Sequence, residues 1–138
     1  MTEEKNYQNK ENIGDIKFWM GEDGIVRINT GKEKWNMEII DNFTEKFIEF
    51  TKKLPKGPKL KVLIDINLTP PTPTAVFRKR IVSMVIKVFK NANVEKVAIW
   101  GGKGVIKVVT SFFLAAAKIK TVKYFNTEEE SLKWLKED

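Results

Sequence analysis

Short apolar runs that alternate with helical patterns restrict the fold of this chain more than any other feature of its sequence. The runs KVLIDI (61–66), VEKVAIW (94–100) and TVKYF (121–125) have the length and composition of strands. In the segments between them apolar residues recur every three or four positions, the spacing of one helical face. Strands that alternate with helices favour a largely parallel sheet with right-handed crossovers.

The first part of the chain adds a hairpin and a helix. Gly-Glu-Asp-Gly at 21–24 is a turn-rich linker between the strand-like runs 16–20 and 25–29, which predicts a β-hairpin. An amphipathic pattern over 36–54 predicts a helix that ends before Pro55.

The predicted element order is β-β-α-β-α-β-α-β-α in one α/β domain. The second and third helices are expected over 75–91 and 103–119, and the last helix begins after Thr127, which is placed to act as its N-cap. We assign residues 13–138 to this single domain. Residues 1–12, which are polar and mixed in charge, are assigned to a flexible N-terminal tail.

The absence of two residue types from the sequence limits the catalytic and metal-binding chemistry that this chain can perform. The chain has no His and no Cys. It therefore lacks the side chain that titrates near neutral pH and most often binds metals, and it lacks thiol nucleophiles and thiolate ligands. We predict no enzymatic activity, no metal site and no cofactor. A Cys-free chain also suits a reducing cytoplasm, and the most apolar stretch, 105–119, is too short and too interrupted by polar residues to span a bilayer.

Positive charge is concentrated in the middle of the chain. Residues 55–125 carry 14 Lys and Arg against 2 Asp and Glu, a net charge of +12, whereas 1–54 and 126–138 carry −2 and −3. A field of this size favours anionic partners, such as phosphates, acidic lipid or an acidic protein surface. The same lysines are equally consistent with solvated helix faces. A nucleic acid partner is not favoured, because no reading motif or aromatic stacking platform accompanies the charge.

The loop after the 61–66 strand is the first candidate site. It follows the carboxyl end of a strand, where open α/β sheets tend to bind ligands, and its three prolines would present an ordered surface. We predict an interaction or switch loop composed of Asp65, Asn67, Thr69, Thr72, Thr74, Arg78 and Arg80. The alternative is a stiff corner in which Asp65 bonds nearby amides and Thr74 caps the following helix.

The segment WGGKGVIK (100–107) is the second candidate site. Free amides at a helix start and nearby lysines can bind an anion. We therefore predict an anion or ligand site composed of Gly101, Gly102, Lys103, Gly104 and Lys107. The glycines are also typical of a tight turn, and no nucleotide-binding spacing is present. The helix that follows is apolar nearly all round, which indicates either burial by its neighbours or a contact with a second copy, another protein or an acyl chain.

Several segments together carry a resemblance to a known family. They are VLIDIN (62–67), VEKVAIWGGKG (94–104), VKYFNTEEESLKWLKED (122–138) and the hairpin with Gly31 after its second strand. With these segments the chain resembles the STAS domains of anti-sigma-factor antagonists and sulphate-transporter tails, and more closely the stand-alone SpoIIAA-like (STAS/SEC14) proteins. The resemblance covers residues 13–138 and implies a binding and regulatory module without catalytic machinery. In the antagonists the loop after the central strand carries an Asp-Ser-Ser-Gly-like motif whose serine is phosphorylated, whereas this chain lacks the Ser-Gly pair.

These observations lead to two hypotheses. The first is a cytoplasmic, non-catalytic regulatory module that binds a protein partner, or a second copy of itself, through the loop and helix at 67–80. The alternative is a carrier or sensor of a hydrophobic, lipid-like or anionic small molecule near 101–119, to which the SEC14-like side of the family also points.

Overall fold

The computed structural model of the chain describes residues 8–33, 35–54, 59–68, 75–102 and 121–137. Within these ranges the elements are, in chain order, β1 (Gln8–Ile13), β2 (Ile16–Met20), β3 (Ile25–Asn29), α1 (Met37–Lys52), β4 (Leu60–Asp65), α2 (Ala75–Asn91), β5 (Val94–Trp100), β6 (Val122–Phe125) and α3 (Glu128–Lys136). The helix predicted over 103–119 lies outside the described residues.

The strands of the described residues form one mixed sheet in the order β1-β2-β3-β4-β5-β6. Neighbours are antiparallel from β1 to β3 and parallel from β3 to β6. α1 connects β3 to β4, and α2 connects β4 to β5, so both are β-α-β crossovers. The prediction of a largely parallel α/β sheet entered through an antiparallel hairpin is confirmed.

β1 is an addition to the predicted order. Residues 8–12, which the sequence analysis places in an N-terminal tail, form most of this strand. Its sequence, QNKENI, has no apolar alternation, and it pairs with β2 through the backbone at the edge of the sheet. Because an edge strand is held by its backbone hydrogen bonds, β1 can form without the apolar signal of the central strands. Its polar sequence also discourages pairing with other chains. The predicted hairpin is therefore the second half of a three-stranded antiparallel unit.

The larger core lies between the sheet and the layer formed by α1 and α2. Its centre is Phe18 of β2, which is fully buried. The ring of Phe18 makes edge contacts with Phe43, Phe47 and Phe50 of α1, at 5.3–5.6 Å between ring centroids. Aromatic rings favour this edge-to-face geometry, and the contacts fix the position of α1 on the sheet.

α3 covers the opposite face of the sheet through a smaller cluster of buried residues. The cluster consists of Ile25, Leu63, Ala98 and Leu135. Lys96 of β5 donates from Nζ to the carbonyls of Trp134 (2.9 Å) and Glu137 (2.8 Å) at the end of α3. A cation at a helix C-terminus interacts favourably with the helix dipole, so Lys96 fixes the end of α3 against the sheet.

Candidate functional site

The four parallel strands end level at one edge of the sheet. The residues that lie side by side at this edge are Asn29, Asp65, Trp100 and Phe125. The segments that follow β4 and β5 therefore leave the sheet next to each other. Because these segments begin the two candidate sites of the sequence analysis, the fold brings the described beginnings of the two candidates, at Asn67 and at Gly101 and Gly102, to one place.

The chain turns sharply after β4 around the carboxylate of Asp65. Its Oδ1 accepts hydrogen bonds from the backbone N–H of Asn67 (2.9 Å) and from the Asn67 side-chain amide (2.8 Å). The Asp65 carbonyl in turn accepts from the Thr30 N–H (3.2 Å) and the Thr30 hydroxyl (3.1 Å). Asp65 therefore has the turn-stabilising role that short polar side chains often take, and its backbone is tied to the end of β3.

Asn67 connects the two candidate regions directly. Its Oδ1 accepts from the N–H of Gly102 at 3.3 Å, across 35 residues of sequence. Gly101 has a φ of +94°, and a Cβ there would overlap the Asn67 side chain. Gly101 is thus required both by its backbone conformation and by the close approach of Asn67. The Gly102 amide is already bonded, so an anion could use it only by displacing Asn67.

Tyr124 completes the connection from the neighbouring strand. Its hydroxyl donates a short hydrogen bond to the carbonyl of Gly101. Burial raises the pKa of Tyr124 above its ordinary value of 10.0, which extends the pH range in which this hydroxyl can donate further into alkali. We call the connected set the carboxyl rim; it consists of Thr30, Asp65, Asn67, Gly101, Gly102 and Tyr124. Its hydrogen bonds run across the ends of all four parallel strands and connect Asn67, where the first candidate loop begins, to Gly101 and Gly102, where the second begins.

Immediately beyond the rim the surface is apolar and then basic. Leu68, next to Asn67, is 62% exposed. α2 begins seven residues later and contains Lys and Arg but no Asp or Glu. Its exposed basic residues are Lys79, Arg80, Lys87 and Lys90. A single exposed leucine is common on protein surfaces, so the feature that makes Leu68 a candidate contact is its position in a turn fixed by hydrogen bonds.

Arg80 is already engaged within the chain. Its guanidinium donates two hydrogen bonds to the Asp41 carboxylate of α1, from Nε (3.0 Å) and from one terminal nitrogen (2.6 Å). These bonds lower the pKa of Asp41 below its ordinary value and raise that of Arg80. Arg80, predicted as an interaction residue, therefore also links the second turns of α1 and α2.

The structure describes some of the predicted site residues and not others. Asp65, Asn67, Gly101 and Gly102 are brought together in the rim, and Arg80 lies on the neighbouring helix. Arg78 lies within α2, but its side chain is outside the described residues. The remaining predicted site residues outside the described ranges are Thr69, Thr72, Thr74, Lys103, Gly104 and Lys107.

Sequence reasoning missed Thr30 and Tyr124 as parts of this region, and it included Leu68 in the segment 67–80 without naming it as a site residue. Leu68 carried a usable signal, since it is an apolar residue in a turn directly after the polar Asn67. Thr30 and Tyr124 carried none, because their roles depend on which strands end side by side. Among the described residues, no group of three or more Asp or Glu side chains is placed to hold a metal ion. No helix in the same ranges is both long and apolar enough to cross a bilayer.

The mixed sheet, its crossovers and the level strand ends define an α/β domain of the STAS class. A family model described as SpoIIAA-like matches residues 30–136, and the chain belongs to this family. The crystal structure of an uncharacterized protein of the DUF3478 family from Shewanella loihica PV-4, described as having a SpoIIAA-like fold, is similar over 92% of this chain and 90% of that chain. The TM-score is 0.57 at 17% sequence identity, a likeness of fold. No curated protein matches the sequence.

Proposed function

We propose that this protein is a non-catalytic regulatory module that binds a protein partner through the turn at Asn67 and Leu68 and the start of α2, residues 67–80. The observation that carries the proposal is the exposure of Leu68, 62%, directly after a turn fixed by the rim. An apolar residue on an ordered backbone loses less conformational entropy on binding than one in a flexible segment, which suits an interface anchor.

Charge supports an acidic partner surface. Lys79 is exposed in the second turn of α2, and the helix has no acidic residue in its first turn. Basic residues around an apolar anchor steer an acidic surface toward it and fix its orientation more than they add affinity. Membership of the SpoIIAA-like family supports a regulatory binding role, since such domains often act by binding proteins. The lack of His and Cys supports the non-catalytic part of the proposal.

The proposal is tested by placing a photo-crosslinking residue, p-benzoylphenylalanine, at position 68 in the native host and identifying the protein that it captures. The captured protein is then purified, and its affinity is measured by calorimetry for the wild type, Leu68→Ala and Ile86→Ala. Ile86 is the matched control, because it is 58% exposed but lies in the third turn of α2, beyond residue 80.

We expect Leu68→Ala to weaken binding about tenfold or more, as for an interface anchor, and Ile86→Ala to leave the affinity unchanged. Equal affinities for the wild type and Leu68→Ala would refute the proposed surface. The alternative hypothesis, a carrier of a lipid-like or anionic small molecule near 101–119, has a separate test. Native mass spectrometry of protein purified from its own host would show a co-purifying ligand mass, and this result would favour the carrier.

A further inference from the structure

The outer surface of α1 and α2 carries two parallel stripes of opposite charge. The two helices lie on the same face of the sheet, each connects one parallel strand to the next, and both therefore run in the same direction. Arg80 and Asp41 join them at their second turns. The helices thus form one continuous layer, and its outward side chains make a single surface.

The stripe on α1 is acidic. Its members are Glu38, Asp41, Glu45 and Glu49, all of which are exposed. Their spacing of three and four residues places them on one side of the helix, opposite the phenylalanines that pack on the sheet. The exposed Lys52 follows at the same spacing, so the acidic stripe ends at Glu49. The stripe on α2 is basic, and its members are Lys79, Arg80, Lys87 and Lys90, also exposed and on one side. We call these the acidic stripe and the basic stripe.

The arrangement of the stripes selects among anionic partners. A nucleic acid or an anionic membrane that covered the basic stripe would also lie over the acidic stripe beside it, and the repulsion would offset the attraction. The surface that fits both stripes carries an acidic stripe and a basic stripe in the opposite order. A two-fold rotation about an axis that runs along the groove between α1 and α2 generates this surface. This rotation places α1 of one copy on α2 of the other.

We propose that the protein self-associates through this layer, with the acidic stripe of each copy on the basic stripe of its partner. The contact is isologous, so every attractive pair occurs twice. The surface overlaps the segment 67–80 only at Lys79 and Arg80, and the other six members of the two stripes lie outside that segment. It therefore adds a second interface to the one proposed for the protein partner.

Sedimentation velocity of the full chain over a range of protein and salt concentrations tests this interface. We expect a monomer–dimer equilibrium that shifts toward the monomer as salt is raised, since exposed charge pairs are screened. Two double variants reverse one stripe each: Lys87→Glu with Lys90→Glu, and Glu45→Lys with Glu49→Lys. Each should weaken self-association about tenfold or more, because every attractive pair that it touches becomes repulsive.

Mixing the two double variants is the decisive measurement. Each alone should be monomeric, but the mixture should form a dimer about as well as the wild type, since the unaltered acidic stripe of one meets the unaltered basic stripe of the other. A chain that carries all four reversals should also regain self-association. Lys133→Glu, on the exposed side of α3 and on the opposite face of the sheet, is the control and should behave as the wild type.

Three results would overturn the proposal. One is a wild-type protein that stays monomeric at low salt up to millimolar concentration. Another is a mixture of the double variants that remains monomeric while the wild type dimerises. The third is a wild-type monomer that binds vesicles containing phosphatidylserine or a nucleic acid through Lys87 and Lys90. Circular dichroism of each variant checks that the fold is retained.

Discussion

The carboxyl rim and the outer surface of α1 and α2 are both polar, but different forces hold them. In the rim, short polar side chains and glycines bond to backbone groups, as Asn67 does to the Gly102 amide. On the outer surface, long charged side chains meet each other in water, as Arg80 meets Asp41 with both side chains about half exposed. Hydrogen bonds of the first kind depend little on salt, whereas exposed ion pairs are screened and weak.

The difference separates the two proposed interfaces by their physics. The rim presets the shape of the turn that carries Leu68, so binding there should be governed by shape and apolar contact. The stripes preset only a pattern of charge, so binding there should be governed by ionic strength and by the charge of the partner. Variants that damage the rim should therefore change stability, and variants of the stripes should leave the stability of the monomer almost unaltered.

The largest effect is expected from Gly101→Ala. Both Gly101 and Gly24 have a positive φ, +94° and +78°, but a Cβ at Gly24 would meet no atom within 4 Å, whereas one at Gly101 would overlap Asn67. We expect Gly24→Ala to lower the free energy of unfolding by about 1–2 kcal/mol from backbone strain alone, and Gly101→Ala by about 2–4 kcal/mol because Asn67 must also leave its bonds. Urea unfolding measures both. Equal losses of unfolding free energy for the two variants would show that the close approach of Asn67 to Gly101 does not contribute to stability.

Replacing Asn67 by Ala removes the connection between the two loops. The variant loses the bonds to Asp65 and to the Gly102 amide, and we expect it to lower the free energy of unfolding by about 1–2 kcal/mol. Hydrogen exchange followed by NMR should show a larger loss of protection at the Gly102 amide than at the Ile66 amide, which bonds to the Trp100 carbonyl. Asn42→Ala, at an exposed asparagine of α1, is the control. Unchanged protection of Gly102 would contradict the proposed role of Asn67.

The central strands and the rim differ in how much of each the sequence predicts. β4 and β5 were predicted because buried parallel strands require continuous apolar runs, and such runs are visible in a single sequence. β1 was not predicted, because an edge strand is held by its backbone and needs no apolar pattern. The antiparallel hairpin lay between these cases, since its turn residues were visible but its third strand was not.

The candidate site was predicted in pieces rather than as a unit. Asp65, Asn67, Gly101 and Gly102 were identified because turn residues follow the carboxyl ends of two predicted strands. The bond between Asn67 and Gly102 spans 35 residues, and the bond from Tyr124 to Gly101 spans 23. Contacts of this length follow from strand order and register, which local patterns do not specify. The sequence analysis therefore treated the segments after β4 and after β5 as two alternative sites, although the fold joins them.

Tyr124→Phe tests the rim through a single hydroxyl. The variant loses the bond to the Gly101 carbonyl, and we expect it to lower the free energy of unfolding by about 0.5–1.5 kcal/mol near neutral pH. Because burial raises the pKa of Tyr124, its contribution is complete below the ordinary value of 10.0 and is lost as pH rises through the folded-state pKa. The stability of the wild type should therefore fall toward that of Tyr124→Phe in alkali. A constant difference between the two proteins at every pH would rule out this linkage.

The smallest effect is expected from Asp41→Asn on the outer surface. Hydrogen bonds from Arg80 lower the pKa of Asp41 from its ordinary value of 3.8, so the contribution of this carboxylate is present above that value and is lost as pH falls through the folded-state pKa. Both side chains are about half exposed, so the urea midpoint of Asp41→Asn at pH 7 should differ from that of the wild type only at low salt and coincide with it at high salt. Both variants are measured at a protein concentration at which the wild type is a monomer, and there Glu49→Gln, a change of the same kind in the acidic stripe, should not alter the midpoint at either salt concentration. A loss of stability for Asp41→Asn that persists at high salt would mean that the Arg80–Asp41 pair is shielded from water. The outer surface would then not differ from the rim in its dependence on salt at the contact between α1 and α2.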